Sequence, residues 1–113
     1  MTVNTRLVIQ QGTSWAISWP ITDEHGEPLD LSGFTVACQI RPSQDSGEVL
    51  HEFTTQAGTA TTSQSYVTLS VPPAVSSQWK WRGGVYDVEL TDPSGRVARI
   101  AEGSVVVSPE VTR

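Results

Sequence analysis

The chain has 113 residues, 37% of them hydrophobic, and a formal net charge of −5. That length suits one domain, and folding it buries roughly 65% of the unfolded surface, enough for a core without covalent staples. Its single cysteine, Cys38, excludes an internal disulfide and a cysteine-based zinc cage, and the acidic balance argues against a nucleic-acid or anionic-membrane partner.

Residues 1–5 form a polar arm expected to become ordered only against a neighbour. Nothing in the opening stretch has the apolar run of a signal peptide, and no segment is long and apolar enough for a membrane span. Residues 6–10 read as a short first strand, broken by Gly12-Thr13. Residues 14–21 read as a stronger one, with Trp15, Ile17, Trp19 and Ile21 on one face and Ser14, Ala16 and Ser18 on the other. Pro20 lies on the second face and marks a sheet edge or a bulge. The next stretch, Thr22-Asp23-Glu24-His25-Gly26, is echoed by Thr91-Asp92-Pro93-Ser94-Gly95. Both place Thr-Asp at a strand end and glycine three residues after the aspartate, one turn solution used twice.

Residues 29–34 make a compact corner with Leu29 and Leu31 available to plug one end of a core. Residues 34–41 predict a strand with Phe34, Val36, Cys38 and Ile40 inward, ended by a turn over residues 42–47. A weaker strand covers residues 48–55, where Val49, Leu50 and Phe53 share one face only with a bulge near Leu50. Residues 56–65 are rich in Thr, Ser, Gly and Ala and are expected to be a mobile loop. Alternation resumes at residues 66–71 through Val67, Leu69 and Val71, and residues 72–78 suit one helical turn. Trp79-Lys80-Trp81 then leads into the clearest element, a hairpin over residues 83–107. Tyr86, Val88 and Leu90 alternate with Val85, Asp87 and Glu89, and Asp92-Pro93-Ser94-Gly95 has type I turn chemistry closing with a bulge. The return strand passes Val97 and Ile100 to Val105-Val106-Val107, with a face-shifting bulge expected at Gly103.

About seven strands and almost no helix predict two antiparallel sheets in an immunoglobulin-like sandwich, with a small closed barrel as the alternative. Tyr86, near the start of the penultimate strand, is expected to bond back to the preceding corner.

Recognisable chemistry is sparse. His25 and His51 have no partner at metal-ligand spacing and read as solvated turn or strand residues. Asp23-Glu24-His25-Gly26-Glu27 lacks the fixed oxygen offsets of a calcium loop. No nucleophile elbow is present, and Gly83-Gly84 lacks the lysine and helix of a phosphate loop. Cys38, between Val36 and Ile40 in the alternation, reads as a small buried hydrophobe. The sequence therefore predicts no enzyme, no metal site and no cofactor. Trp79 and Trp81, flanking Lys80 with Arg82 beside them, are the binding candidates, and Arg113 adds a cation in the tail. Exposed aromatics on a sandwich supply a protein hot spot or a sugar platform. The alternative is that Trp79 caps the open end and Trp81 packs beside it; Trp15 and Trp19, on a face with Ile17, read as core.

The order of these signatures resembles a known family. Gln11-Gly12-Thr13-Ser14-Trp15, then Thr22-Asp23-Glu24-His25-Gly26-Glu27-Pro28-Leu29-Asp30-Leu31-Ser32-Gly33-Phe34, then Ile40-Arg41 are characteristic. So are Tyr86-Asp87-Val88-Glu89-Leu90-Thr91-Asp92-Pro93-Ser94-Gly95 and the tail from Glu102-Gly103 through Ser108-Pro109-Glu110-Val111-Thr112-Arg113. Together they resemble the long-tail-fibre-type β-sandwich family of small bacteriophage proteins, over nearly the whole chain and least across residues 42–65. The resemblance implies a non-enzymatic virion part, on the head as decoration or neck protein or on the tail as fibre or baseplate adaptor. Implied partners are other virion proteins, further copies of this chain, or a host-surface glycan. Gln78-Trp79-Lys80-Trp81 departs from the family, which usually has small apolar residues there, as a specific attachment site would.

Overall fold

Period-two alternation of apolar side chains builds two sheets whose buried faces meet. The computed structural model describes residues 2–112. In chain order the strands are β1 (Val3–Asn4), β2 (Leu7–Gln10), β3 (Trp15–Pro20), β4 (Thr35–Arg41), β5 (His51–Thr54), β6 (Ala60–Ser63) and β7 (Tyr66–Val71). A single helical turn, α1 (Pro73–Ser76), then precedes β8 (Gly83–Thr91) and β9 (Val97–Ser108). One sheet has the order β1-β9-β8-β4-β5, with β2 also on β9; the other has the order β3-β7-β6. The chain is an immunoglobulin-like β-sandwich and not a closed barrel.

The predicted rows form one core. Val36, Cys38 and Ile40 of β4, Tyr86, Val88 and Leu90 of β8, and Val67, Leu69 and Val71 of β7 are all buried. Phe53 and Leu31 complete it, and Trp19 is buried while Trp15 and Ile17 pack partly covered against the same cluster. The Trp15 indole N–H also donates to the Val8 carbonyl at 3.0 Å, tying the edge of the small sheet to the large one. β3 is an edge strand, pairing with β7 alone, which is where its Pro20 is tolerated.

The repeated Thr-Asp turn is the same structure twice. Gly26 and Gly95 donate to the Asp23 and Asp92 carbonyls, both at 3.0 Å. Asp23 and Asp92 each accept two backbone N–H groups on one carboxylate oxygen, from His25 and Glu27 in one turn and from Ser94 and Arg96 in the other. Gly26 and Gly95 sit at φ 80° and 94°, where a Cβ is strained.

Several sequence expectations change. Nine strands replace about seven, with β1 and β6 added: residues 56–65 are not all loop, since β6 lies among them and pairs with β7 from Ala60↔Leu69 to Ser63↔Tyr66. The strand expected over residues 48–55 contracts to β5, with the Leu50 N–H donating to the Ile40 carbonyl just before it. The N-terminal arm does not await a neighbour. β1 and β2 run parallel to β9 in one unbroken register, Val3↔Ala101 and Leu7↔Val105, with Thr2 Oγ1 donating to the Arg99 carbonyl. The bulge lies at Ile100, between the pairs Val88↔Ala101 and Glu89↔Arg99, rather than at Gly103. Gly103 is needed for a different reason: a Cβ there would collide with the Thr5 carbonyl. That same carbonyl accepts the Tyr86 hydroxyl at 2.6 Å, so the tyrosine ties down the first strand and not the preceding corner. Burial, followed by the field of the nearby Cys38, pushes the Tyr86 phenol up to about 12.

Inward and outward positions on β8 should therefore differ sharply in stability. Leu90→Ala is expected to cost about 2–5 kcal/mol, and exposed Glu89→Ala less than about 0.5 kcal/mol, read from urea midpoints at unchanged slope.

Candidate interaction end

One end of the sandwich is closed by polar groups rather than by a strand. Leu7 and Ile9 of β2 point inward, and Gln11 continues that parity past the strand end, 8% exposed. Its side-chain Nε2 donates to the carbonyls of Ser76 at 3.1 Å and Trp79 at 3.0 Å, with a longer contact to Ser77. Its Oε1 accepts the Glu110 N–H at 3.2 Å. The Gly12 N–H donates to the hydroxyl of buried Ser76 at 2.8 Å, and the Glu110 carboxylate lies directly over Gly12. One amide thus joins the N-terminal strand, the end of α1, the tryptophan segment and the tail. These are backbone groups that neither sheet ladder satisfies.

The tryptophans are seated on that clasp. Trp79 is 9% exposed and packs against both His51, at 5.0 Å between ring centroids and inclined 59°, and Trp81, at 4.7 Å and inclined 33°. Trp81 is half-buried, while Lys80 and Arg82 are exposed on either side of it. The Arg82 guanidinium donates to the Trp81 carbonyl at 3.1 Å, and the Arg82 carbonyl accepts the Val107 N–H at 2.8 Å, so the segment is pinned to β9. The structure therefore brings together Trp79, Lys80, Trp81 and Arg82; Arg113 lies outside the described residues. Trp79 caps the core and Trp81 covers it, which is not the exposed coplanar pair that a sugar platform requires.

His51 departs from its expected solvated position. It shares the inward parity of β5 with Phe53, meets that ring edge-on at 4.7 Å, and has a buried Nε2 without a protein partner. The Trp81 indole nitrogen is likewise buried and unpaired. Burial, against a smaller opposing effect of Glu52, holds the His51 imidazole below its usual value.

Elsewhere the chemistry is structural. A concavity of about 870 Å³ lies on the outer face of the large sheet among Arg41, Asp87, Glu89, Arg99 and Glu102. Arg99 bridges Asp87 at 3.5 Å and Glu102 at 3.2 Å, and the Arg41 guanidinium is engaged by the Gln39 side chain and the Ser46 carbonyl. Burial raises the Cys38 thiol well above its ordinary value, so it stays protonated at neutral pH. Among the described residues no group of three His, Cys, Asp or Glu side chains is placed to hold a metal, and no helix is long and apolar enough to cross a membrane. No family model matches this chain, and no curated protein matches it either.

Two outcomes follow for this end. Gln11→Ala should remove its bonds to the Ser76 and Trp79 carbonyls and to the Glu110 N–H and cost about 1–3 kcal/mol with a shift in tryptophan emission, whereas exposed Gln10→Ala should do neither. A histidine whose folded value is lowered binds fewer protons folded than unfolded, so it costs stability as pH falls below its ordinary 6.5. The urea midpoint should accordingly drop as pH falls below 6.5, and His51→Phe should flatten that decline.

Proposed function

We propose that this protein is a non-enzymatic accessory subunit of a tailed-bacteriophage particle, attached to the head or the tail through its Trp79–Arg82 end. The observation that carries the reading is the presentation of Trp81. A half-buried indole rests on a buried one, held by the Gln11 clasp, with Lys80 and Arg82 exposed on both sides and the Arg82 guanidinium bonded to the Trp81 carbonyl. Large aromatics and arginine supply much of the energy at the centres of protein interfaces, and a ring already fixed in place loses little entropy on docking. The turn and strand signatures that resemble phage sandwich proteins support the same reading, and so does the engagement of polar side chains on the outer face in pairs with one another.

The particle supplies the partner in this account, a repeated site on assembled head or tail subunits. Lys80 and Arg82 orient the approach, and Trp81 supplies the contact that keeps the subunit bound. Purified protein should rebind particles that lack it, and Trp81→Ala should weaken that binding at least tenfold while leaving the fold intact. Equal binding by native and Trp81→Ala protein contradicts this surface. Failure of native protein to bind heads or tails contradicts the virion assignment itself.

A further inference from the structure

A histidine lies under the tryptophan end. His51 is the first residue of β5, the strand at the edge of the large sheet, on the inward face with Phe53. Trp79 packs on its ring at 5.0 Å, Phe53 meets it edge-on at 4.7 Å, and Trp81 in turn rests on Trp79. Two buried nitrogens in this stack, His51 Nε2 and Trp81 Nε1, have no partner. The Trp81 ring is thus kept in place by packing, whereas the backbone beside it is bonded. The Trp79 N–H donates to the Ser76 carbonyl, and the Trp79 carbonyl accepts from Gln11 Nε2.

The surroundings of His51 suit a neutral ring. On β5, Glu52 takes the opposite face, and its carboxylate accepts the Gln39 amide at 2.9 Å. On β4, Arg41 follows Ile40, the register partner of His51, and its guanidinium is engaged by Gln39 and the Ser46 carbonyl. Asp45 and Glu48 of the preceding loop, and Lys80 and Arg82 of the tryptophan segment, are exposed. Among the described residues no carboxylate pairs with the ring. A second proton would make Nε2 a charged donor with no acceptor, and the π face of Trp79 offsets only part of the lost hydration.

We propose that His51 is a proton-operated latch for the tryptophan end. The neutral ring keeps Trp79 and Trp81 packed, and the protonated ring swings out to water and releases Trp81. The way out is short, because β5 pairs only with β4 and the residues leading into it, from Pro42 to Val49, are mostly exposed. The bonds to the Trp79 backbone persist, so the opening is confined to the rings. Burial already weakens the hold of the closed ring on a proton. An open ring titrates at its ordinary 6.5, so each pH unit below that raises the open population by up to about tenfold. Weaker attachment in acid follows where this end docks on a particle; that consequence rests on the docking reading, and the latch itself does not.

The Trp81 indole N–H reports the latch, because it is buried without a hydrogen bond and exchanges with solvent when the ring opens. Its exchange is measured in the free protein and corrected for the intrinsic effect of pH. Protection should fall at least about fivefold between about pH 7.5 and about pH 5.5. The Trp15 indole, bonded to the Val8 carbonyl, and the backbone amides of β8 should keep theirs. His51→Phe, or His51→Gln should the first not fold, has no imidazole to protonate and should abolish the fall. His25→Gln, at an exposed turn, should leave it as in the native chain. Unchanged Trp81 protection across that pH range overturns the proposal. So does a fall that the His51 variant retains, or one shared equally by the β8 amides, which is unfolding of the whole domain. No particle is needed, so the latch stands or fails independently of rebinding to heads or tails.

Discussion

The Gln11 side-chain amide fastens one end of this sandwich, bonding the carbonyls of Ser76 and Trp79 and the N–H of Glu110. The sheets account for their own backbone groups, and the apolar rows account for most of the driving force. Where the chain leaves β7, turns through α1 and re-enters at β8, the carbonyls of Ser76 and Trp79 face inward with no strand beside them. The Trp79 N–H already donates to the Ser76 carbonyl at 3.0 Å, and a buried carbonyl short of donors is costly, so the added bonds from Gln11 count. Gln11 adds a donor to both carbonyls, beside the Trp79 N–H on that of Ser76, and fastens the tail through Glu110, so one amide ties the tryptophan segment to the first strand and the tail.

The two sheets divide the work between them. β3, β6 and β7 carry no charged residue, and their outer faces are Ala, Ser, Thr, Pro and Tyr, with Ser18 and Thr68 hydroxyls 2.7 Å apart across β3 and β7. The large sheet carries the ion pairs on its outer face and the N-terminal strand on its edge, closed down by Tyr86. The distinctive groups of the molecule, the tryptophan clasp and the acidic turns, lie at the ends of the strands.

What the sequence disclosed followed from parity. β8 was legible because Tyr86, Val88 and Leu90 alternate strictly with polar neighbours, and the two aspartate turns were legible because each turn residue has one geometric task. β6 was hidden by its composition: Ala60-Thr61-Thr62-Ser63 after Gly58 looks like a loop, although paired β-branched threonines also favour a strand. Gln11 and His51 were hidden by their polarity. Yet Gln11 extends the inward row of Leu7 and Ile9, and His51 shares a face with Phe53, so position carried the signal that residue type concealed. Gly103 shows the reverse. A glycine in a strand fits either a bulge or a close backbone approach, and only the path of Thr5 decides between them.

The functional account rests on the tryptophan end being a docking surface and not merely a plug for the core. Hydrogen exchange compared between the free protein and the protein assembled on the phage particle measures this directly, because backbone amides from Trp79 to Arg82 lie beside the exposed Trp81 face. The account predicts slower exchange in that segment on assembly, with the outer strands of the small sheet unchanged. Unchanged exchange at residues 79–82, with protection appearing on another face, would contradict it.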